Sequence, residues 1–312
     1  MQSKSQAPSI TTGPITAQLL LFFFPILLGT FFQQLYNTVD TIIVGNFVGT
    51  NTALAAVGGA TGQLVNLFVG FFIGLSSGCG VIISQYYGAR DQNAVSKSVH
   101  TALAFSLLSG VVIMVLGLLL TDFSLRAMSL PEEIMPEATA YLRIFFLGMI
   151  PNLFYNMGAA VLRAIGDSKR PLYFLILSCL CNIVLDLIFV AYLRLGVSVA
   201  ALATILSQLA SAVMVLFVLL RTKSDVRLIP SQLRLEPFWL KKMIYVVLPA
   251  GLQSTMYTVS NIIVQATINS FGTNTISAVT AYGKMDVIFW MVINAFGIAI
   301  TTFVGQNYGA GK

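Results

Sequence analysis

Eight long apolar stretches, separated by short polar connections, dominate the 312-residue sequence. Each is near the roughly 20 residues that an α-helix needs to cross about 30 Å of hydrocarbon. Hydrocarbon offers no hydrogen-bond partners, so backbone groups must be satisfied inside the segment, and such runs are expected to be helical. The spans fall roughly at 15–45, 54–85, 96–121, 138–163, 171–193, 197–221, 242–271 and 277–304. The connections carry the breakers, among them Gly88, Pro131 with Pro136, Gly166, Gly196, Pro230 with Pro237, and Gly272. Charged residues make up 9% of the chain, against about 25% in a soluble domain. The sequence predicts an all-α polytopic membrane protein, with the lipid bilayer as its main partner.

Alternation of sides sorts the positive charges. Thirteen of the 17 Lys and Arg residues fall on one side, including Arg90, Lys97, Arg163, Arg170, Arg227, Arg234 and Lys242. Arg126, Arg143 and Arg194 fall on the other, and Lys284 lies within a span. The positive-inside rule then places both ends of the chain in the cytoplasm of a cell-membrane protein. This sorting accounts for the +6 net charge without a nucleic-acid partner. The leader Met1–Thr12 is polar and precedes no small-residue cleavage site, so span 1 is expected to be retained.

Several chemistries are excluded. Cys79, Cys179 and Cys181 sit in apolar runs and fit neither a disulfide framework nor a metal spacing. His100 is the single histidine, which removes His-based metal sites and His-dependent triads. No nucleophile–base pair stands in the spans, so the chain is not expected to be an enzyme, and no cofactor is called for.

An internal repeat divides the chain. Pro25 and Asn37 of span 1 recur as Pro249 and Asn261 of span 7, and Gly49–Thr52 recurs as Gly272–Thr275. Ser84-Gln85-Tyr86-Tyr87-Gly88-Ala89 answers Gly305-Gln306-Asn307-Tyr308-Gly309-Ala310. Six spans per unit is an even number, so the two units share one orientation, related by an axis along the membrane normal. The expected domains are a complete six-helix first lobe (1–221), a basic cytoplasmic loop (222–241), and the first two helices of a second, parallel-repeat lobe (242–312). As a plain connection the loop would be solvated and in contact with anionic lipid. The short second unit favours a fragment lacking its remaining second-lobe helices over a short form completed by association.

Polar residues within the spans mark candidate sites, because a carboxylate at mid-membrane costs about 2.5–3.5 kcal/mol. Counting about 1.5 Å per residue from the span ends puts Asp40, Asp186 and Thr204 at similar depths, about 12–13 Å in from one end. Asn182 lies one turn from Asp186 on the same face. Spans 1, 5 and 6 can therefore build a buried cluster of two carboxylates, a carboxamide and a hydroxyl. Burial and a second carboxylate disfavour the doubly charged pair, which suits exchange of H+, while hard oxygens also suit Na+. The bland alternative is a satisfied polar network. Tyr36, Asn37, Asn152, Asn156, Lys284 and Asp286 are candidates for lining a substrate cavity; at i, i+2 the last two do not face each other. Pro25 removes a backbone hydrogen bond and is either an ordinary kink or a hinge.

These residues together resemble the multidrug and toxic compound extrusion (MATE) family, of the DinF-like kind, cut short after span 8. The resemblance rests on the Pro25–Asp40 span, SQYYGARD at the end of span 2, RAIGDSKRP from Arg163 to Pro171, Asn182–Asp186, and Ala201–Thr204. It implies two six-helix lobes in an outward-opening V that exports organic cations and amphiphiles in exchange for protons or sodium. It further implies that Asp40, Asn182, Asp186 and Thr204 couple the cation and that bending at Pro25 drives release. Sodium-coupled members of the NorM kind carry a span 7 glutamate, whereas the region around Tyr257 has no carboxylate; that departure tilts coupling toward protons and the first lobe. Two alternatives remain: a flippase for lipid-linked precursors, for which Lys284 is the one clear basic candidate, and a non-transporting partner subunit.

Overall fold

The computed structural model describes residues 10–48, 60–128, 130–194, 196, 198–270 and 273–312. Among them the chain forms nine α-helices: α1 (Ile15–Phe47), α2 (Ala60–Gly88), α3 (Gln92–Ala127), α4 (Met135–Leu147), α5 (Met149–Ala164), α6 (Lys169–Asp186), α7 (Ser198–Arg221), α8 (Pro237–Ser270) and α9 (Thr273–Gly309). Six of these are individually long and apolar enough to cross a bilayer, and the bent pair α4–α5 makes a seventh. α8 stands where span 7 is expected. It is long enough, with 34 residues, but Gln253, Ser254, Thr255, Ser260 and Asn261 interrupt its apolar run, and it does not qualify with the others.

Two expected spans are irregular. The single span expected at 138–163 is two helices meeting at 46°. Gly148 stands at the joint, where a side chain would press on Ile205 of α7, and Pro151 lies in the first turn of α5, where its missing N–H is tolerated. Span 5 keeps α-helical bonding only to Asp186 and continues as a π-helix, Leu187–Tyr192, closed by Leu193 N–H donating to Ile188 O at 2.9 Å.

α2 lies between α5 on one side and α8 and α9 on the other; α1 packs along both α6 and α9. The largest apolar cluster joins α2, α3, α5 and α7 through fully buried Leu103, Met149, Leu153, Met157 and Leu219. The connection 222–236 keeps many of its side chains exposed, as its charge suggests, but it is anchored at two points. Val226 and Leu228 are buried in that cluster, and Leu228 N–H donates to Leu219 O. His100, near the start of α3, accepts a hydrogen bond from Ile229 N–H on Nε2 (2.9 Å) and donates from Nδ1 to Ser96 O (2.7 Å). The lone histidine thus fastens the loop to α3.

The repeat is visible in local geometry. After α2, Ala89, Arg90 and Asp91 N–H donate to Gln85, Tyr87 and Tyr86 carbonyls; after α9, Ala310, Gly311 and Lys312 donate to Gln306, Tyr308 and Asn307. Both turns use a left-handed residue, Arg90 at φ 59° and Gly311 at φ 71°, which is how helices commonly satisfy their last carbonyls. The two motifs also touch. A Cβ on Gly88 would strike the backbone of Gln306, a Cβ on Gly309 would strike the backbone of Gln85, and Ser84 sits against Gly305. Gln306 Nε2 then donates to Ala164 O at the end of α5. The loop motif at 49–52 lies outside the described residues, as does residue 272.

Gly88→Ala and Gly309→Ala are each expected to lower stability by roughly 1–3 kcal/mol, as overpacking does. Gly297→Ala, whose Cβ would meet nothing, is expected to be neutral or to gain up to about 1 kcal/mol of helix propensity. Thermal unfolding in detergent compares the three; equal midpoints would remove the structural role of the crossing.

Candidate functional site

α1 presents Asp40 two turns before its end, α6 presents Asn182 and Asp186 in its last two turns, and α7 presents Thr204 two turns after its start. A small apolar cluster locks these elements together: Ile43 and Val44 of α1, Tyr141 of α4, Val190 of the π-helix, and Ala200 and Ala201 of α7. Asp186 is 0% exposed, Asn182 1%, Thr204 6% and Asp40 8%, so all four are buried and Asp40 is the least so. The π-helix begins immediately after Asp186. Such irregular turns recur at functional sites because they shift backbone register.

Satisfaction of this cluster is incomplete. Asp40 and Asp186 interact with each other, and Asn182 reaches Asp186. Yet Asp40 Oδ1, both Asp186 oxygens, and both polar atoms of Asn182 have no partner at hydrogen-bonding geometry among the described residues. The groups are within electrostatic reach but not closed into a bonded network. Thr204 donates to Ala200 O at 3.1 Å in its own helix, so its oxygen can only accept from the cluster. A buried polar group left unpaired costs about 1–3 kcal/mol. Oxygens arranged this way can share a proton or hold a small hard cation.

Two tyrosines complete the surroundings. Half-buried Tyr36 feels Asp40, and buried Tyr141 feels both carboxyl groups. Tyr141 was not singled out from the sequence: it stands three residues into the span expected at 138–163, about 5 Å from its end at 1.5 Å per residue, so the depth count did not join it to Asp40.

The other candidates are dispersed. Asn37 is exposed. Asn156 Nδ2 donates to Asn152 Oδ1 at 2.6 Å, and Asn156 then lines a small cavity between α2, α5 and α9 with Ser76, Arg163, Thr301 and Thr302. Arg163 makes no ion pair among the described residues. Asp286 accepts from Tyr282 Oη at 3.4 Å. The side chain of Lys284 lies outside the described residues. α1 runs as continuous helix through Pro25, which sits where Phe22, Phe23 and Ile26 pack against Ala295 and Ala299 of α9. Where the repeat aligns Asp40 with α8, Val264 and its neighbour Ile263 are exposed apolar residues.

A model of the MatE family matches residues 25–188 and 249–312. The chain belongs to the MatE family. Both matched segments begin at the paired prolines, Pro25 and Pro249. The chain is similar to the probable multidrug resistance protein YpnP of Bacillus subtilis, with 32% identity over 311 residues, covering 98% of this chain and 68% of that protein. Among solved structures it is similar to a MOP superfamily transporter from Pyrococcus furiosus described as having a binding pocket of reverse polarity, with TM-score 0.90 and 26% identity over 98% of this chain and 68% of that one. A multidrug resistance MATE transporter in an outward-facing conformation gives the same TM-score, identity and coverage. This MatE chain is therefore a multi-pass membrane protein of a transporter family rather than an enzyme, and it spans about two thirds of these relatives.

Groups kept for function at the expense of packing lower stability. Asp186→Asn is expected to raise stability by about 1 kcal/mol, since an amide can donate to Asp40 where a second carboxylate would repel it. A lower unfolding midpoint for this variant would instead identify Asp186 as a structural group.

Proposed function

We propose that this MatE chain supplies the first lobe and the opening helices of the second in a DinF-like antiporter. It exports cationic and amphipathic drugs in exchange for protons. The observation that carries this reading is the buried, incompletely bonded Asp40–Asp186 pair, set beside apolar Ile263 and Val264 in the repeat-related stretch of α8. Two carboxyl groups this close take up one proton readily because the doubly charged pair is disfavoured. Access through Asp40 on one side of the membrane and then the other would turn that proton into a driving force. Asn182 and Thr204 orient the pair, Tyr36 and Tyr141 cover it, and Pro25 lets α1 change shape as it titrates. The same oxygens could hold sodium, which is the alternative outcome of the test. The name carried by YpnP supports a drug-export role.

Lobes bounded at 1–221 and 242–312, with both chain ends in the cytoplasm, complete the proposal. A second reading, export of an anionic amphiphile such as a lipid-linked precursor, is favoured by Arg163. That cation faces the cavity between α2, α5 and α9 without an ion pair among the described residues. The reverse-polarity pocket described for the Pyrococcus furiosus relative gives it further support.

Efflux of a fluorescent cation from cells expressing the full-length gene tests the leading reading. Asp40→Asn and Asp186→Asn are each expected to slow export by about tenfold or more, roughly 1.4 kcal/mol or more of lost coupling. Collapse of the proton gradient should abolish export, and collapse of the sodium gradient should leave it; undiminished export by Asp40→Asn would sink the coupling role. Arg163→Gln should spare cation export, whereas its selective loss of an anionic substrate would favour the second reading. For orientation, thiol labels that cannot cross the membrane should reach a cysteine at position 194 from outside and one at position 312 only after permeabilisation.

A further inference from the structure

Far from the carboxyl pair, on the Lys/Arg-rich face, the start of α3 and the returning loop enclose a cavity of about 330 Å³. Small-molecule sites start at about 300 Å³. Its lining includes Ser96 and Lys97 from the second turn of α3, Ser231 and Arg234 from the loop, and also His100 and Thr101. These last two are 2% and 0% exposed. Every one of these side chains except His100 offers a free or shareable donor, and His100 spends both ring nitrogens holding Ile229 and Ser96 in place. Thr101 Oγ1 is buried and has no hydrogen-bond partner among the described residues.

The charges do not cancel. Glu236 is the one carboxylate in the lining, and Arg234 already engages it through Nε at 3.1 Å and Nη2 at 2.6 Å. Lys97 has no ion pair among the described residues. One spare ammonium, a guanidinium edge and three hydroxyls around a polar pocket are the chemistry that recognises a phosphate group, whose oxygens accept several charge-assisted bonds at once.

We propose that this cavity binds a phosphate group and, by bridging Lys97 of α3 to Ser231 and Arg234, ties the inter-lobe loop to the first lobe. The phosphate is carried either by an anionic lipid at the membrane edge or by a free phosphorylated compound; the recognition chemistry is the same for both. This site is independent of the transport reading, because none of its residues belongs to the Asp40–Asp186 cluster.

Two arms separate the sources, both with the full chain in phosphatidylcholine nanodiscs. In one, inorganic phosphate is titrated calorimetrically; in the other, phosphatidylglycerol is added and bound lipid is counted by native mass spectrometry. Binding of inorganic phosphate assigns the site to a free compound, and binding of phosphatidylglycerol alone assigns it to a headgroup. In whichever arm binds, Lys97→Gln is expected to weaken binding about tenfold and Thr101→Val severalfold, while Lys223→Gln, outside the cavity, leaves it unchanged. Absence of binding in both arms, or equal binding by Lys97→Gln and the unaltered chain, overturns the proposal.

Discussion

The arrangement of this molecule depends on one close contact, the crossing of α2 and α9 at Gly88 and Gly309. Each glycine faces the backbone of the glutamine that belongs to the other's motif, Gln306 and Gln85. Two helices can approach this closely only where side chains are absent, and in a membrane such small-residue contacts replace the hydrophobic drive that water would provide. Because the motifs are repeat-related, the contact is self-complementary, as at a two-fold axis. Other packing relations between the repeat units accompany it. α8 lies along α2, α9 reaches α1, and Gln306 bonds back to Ala164.

A pinned crossing at one end leaves the other end of the helices free to differ. On the Lys/Arg-rich side the units are knit by the glycine crossing, by Lys242 Nζ donating to Tyr86 Oη, and by the buried loop residues Val226 and Leu228. Toward the opposite side α8 and α9 expose Met256, Tyr257, Tyr282, Met285 and Phe289. Exposed apolar area of this extent is what lipid, further helices or a cavity wall would cover.

Much of this was legible in the sequence, for identifiable reasons. Hydrocarbon leaves helices as the open option, so long apolar runs announced the helices, and costly carboxylates announced Asp40 and Asp186. The repeat was legible because prolines, turn glycines and helix-end motifs are chemically distinctive. The bend at Gly148 was not, since Gly and Pro are common in membrane helices and an apolar run keeps its character across a break. The π-helix after Asp186 has no compositional signature, because it changes which carbonyl a given N–H meets rather than which residue is used. The anchoring of the inter-lobe loop was not legible because six Lys and Arg residues from Arg221 to Lys242 concealed Val226 and Leu228 and the reach of His100. Tyr141 was passed over because tyrosine in a span is usually packing.

Helix α1 joins the two features on which the proposed cycle depends. Its far half packs on α6, where Asp40 meets Asp186, and its near half packs on α9, where Phe23 meets Phe296 edge-on at 5.3 Å. Pro25 lies in the α9 contact, about 22 Å along the helix from Asp40 at 1.5 Å per residue. A proline there withholds one N–H from the ladder and crowds the preceding turn, so this is the place on α1 where bending costs least. In the proposed cycle a proton arriving at Asp40 would change the balance of the contacts α1 makes within the first lobe, with α6 and its neighbours, since the repeat-related stretch of α8 has no carboxylate to answer it. If α1 were rigid, that change would have to be carried into the α9 contact and from there to the glycine crossing, which has no room to yield. With the soft point at Pro25, the half of α1 that carries Asp40 can move against α6 while the other half stays seated on α9. The asymmetry of charge and the symmetry of the crossing are therefore compatible: in the proposed cycle one end of a single helix would titrate while the pivot shared by both repeats stayed undisturbed.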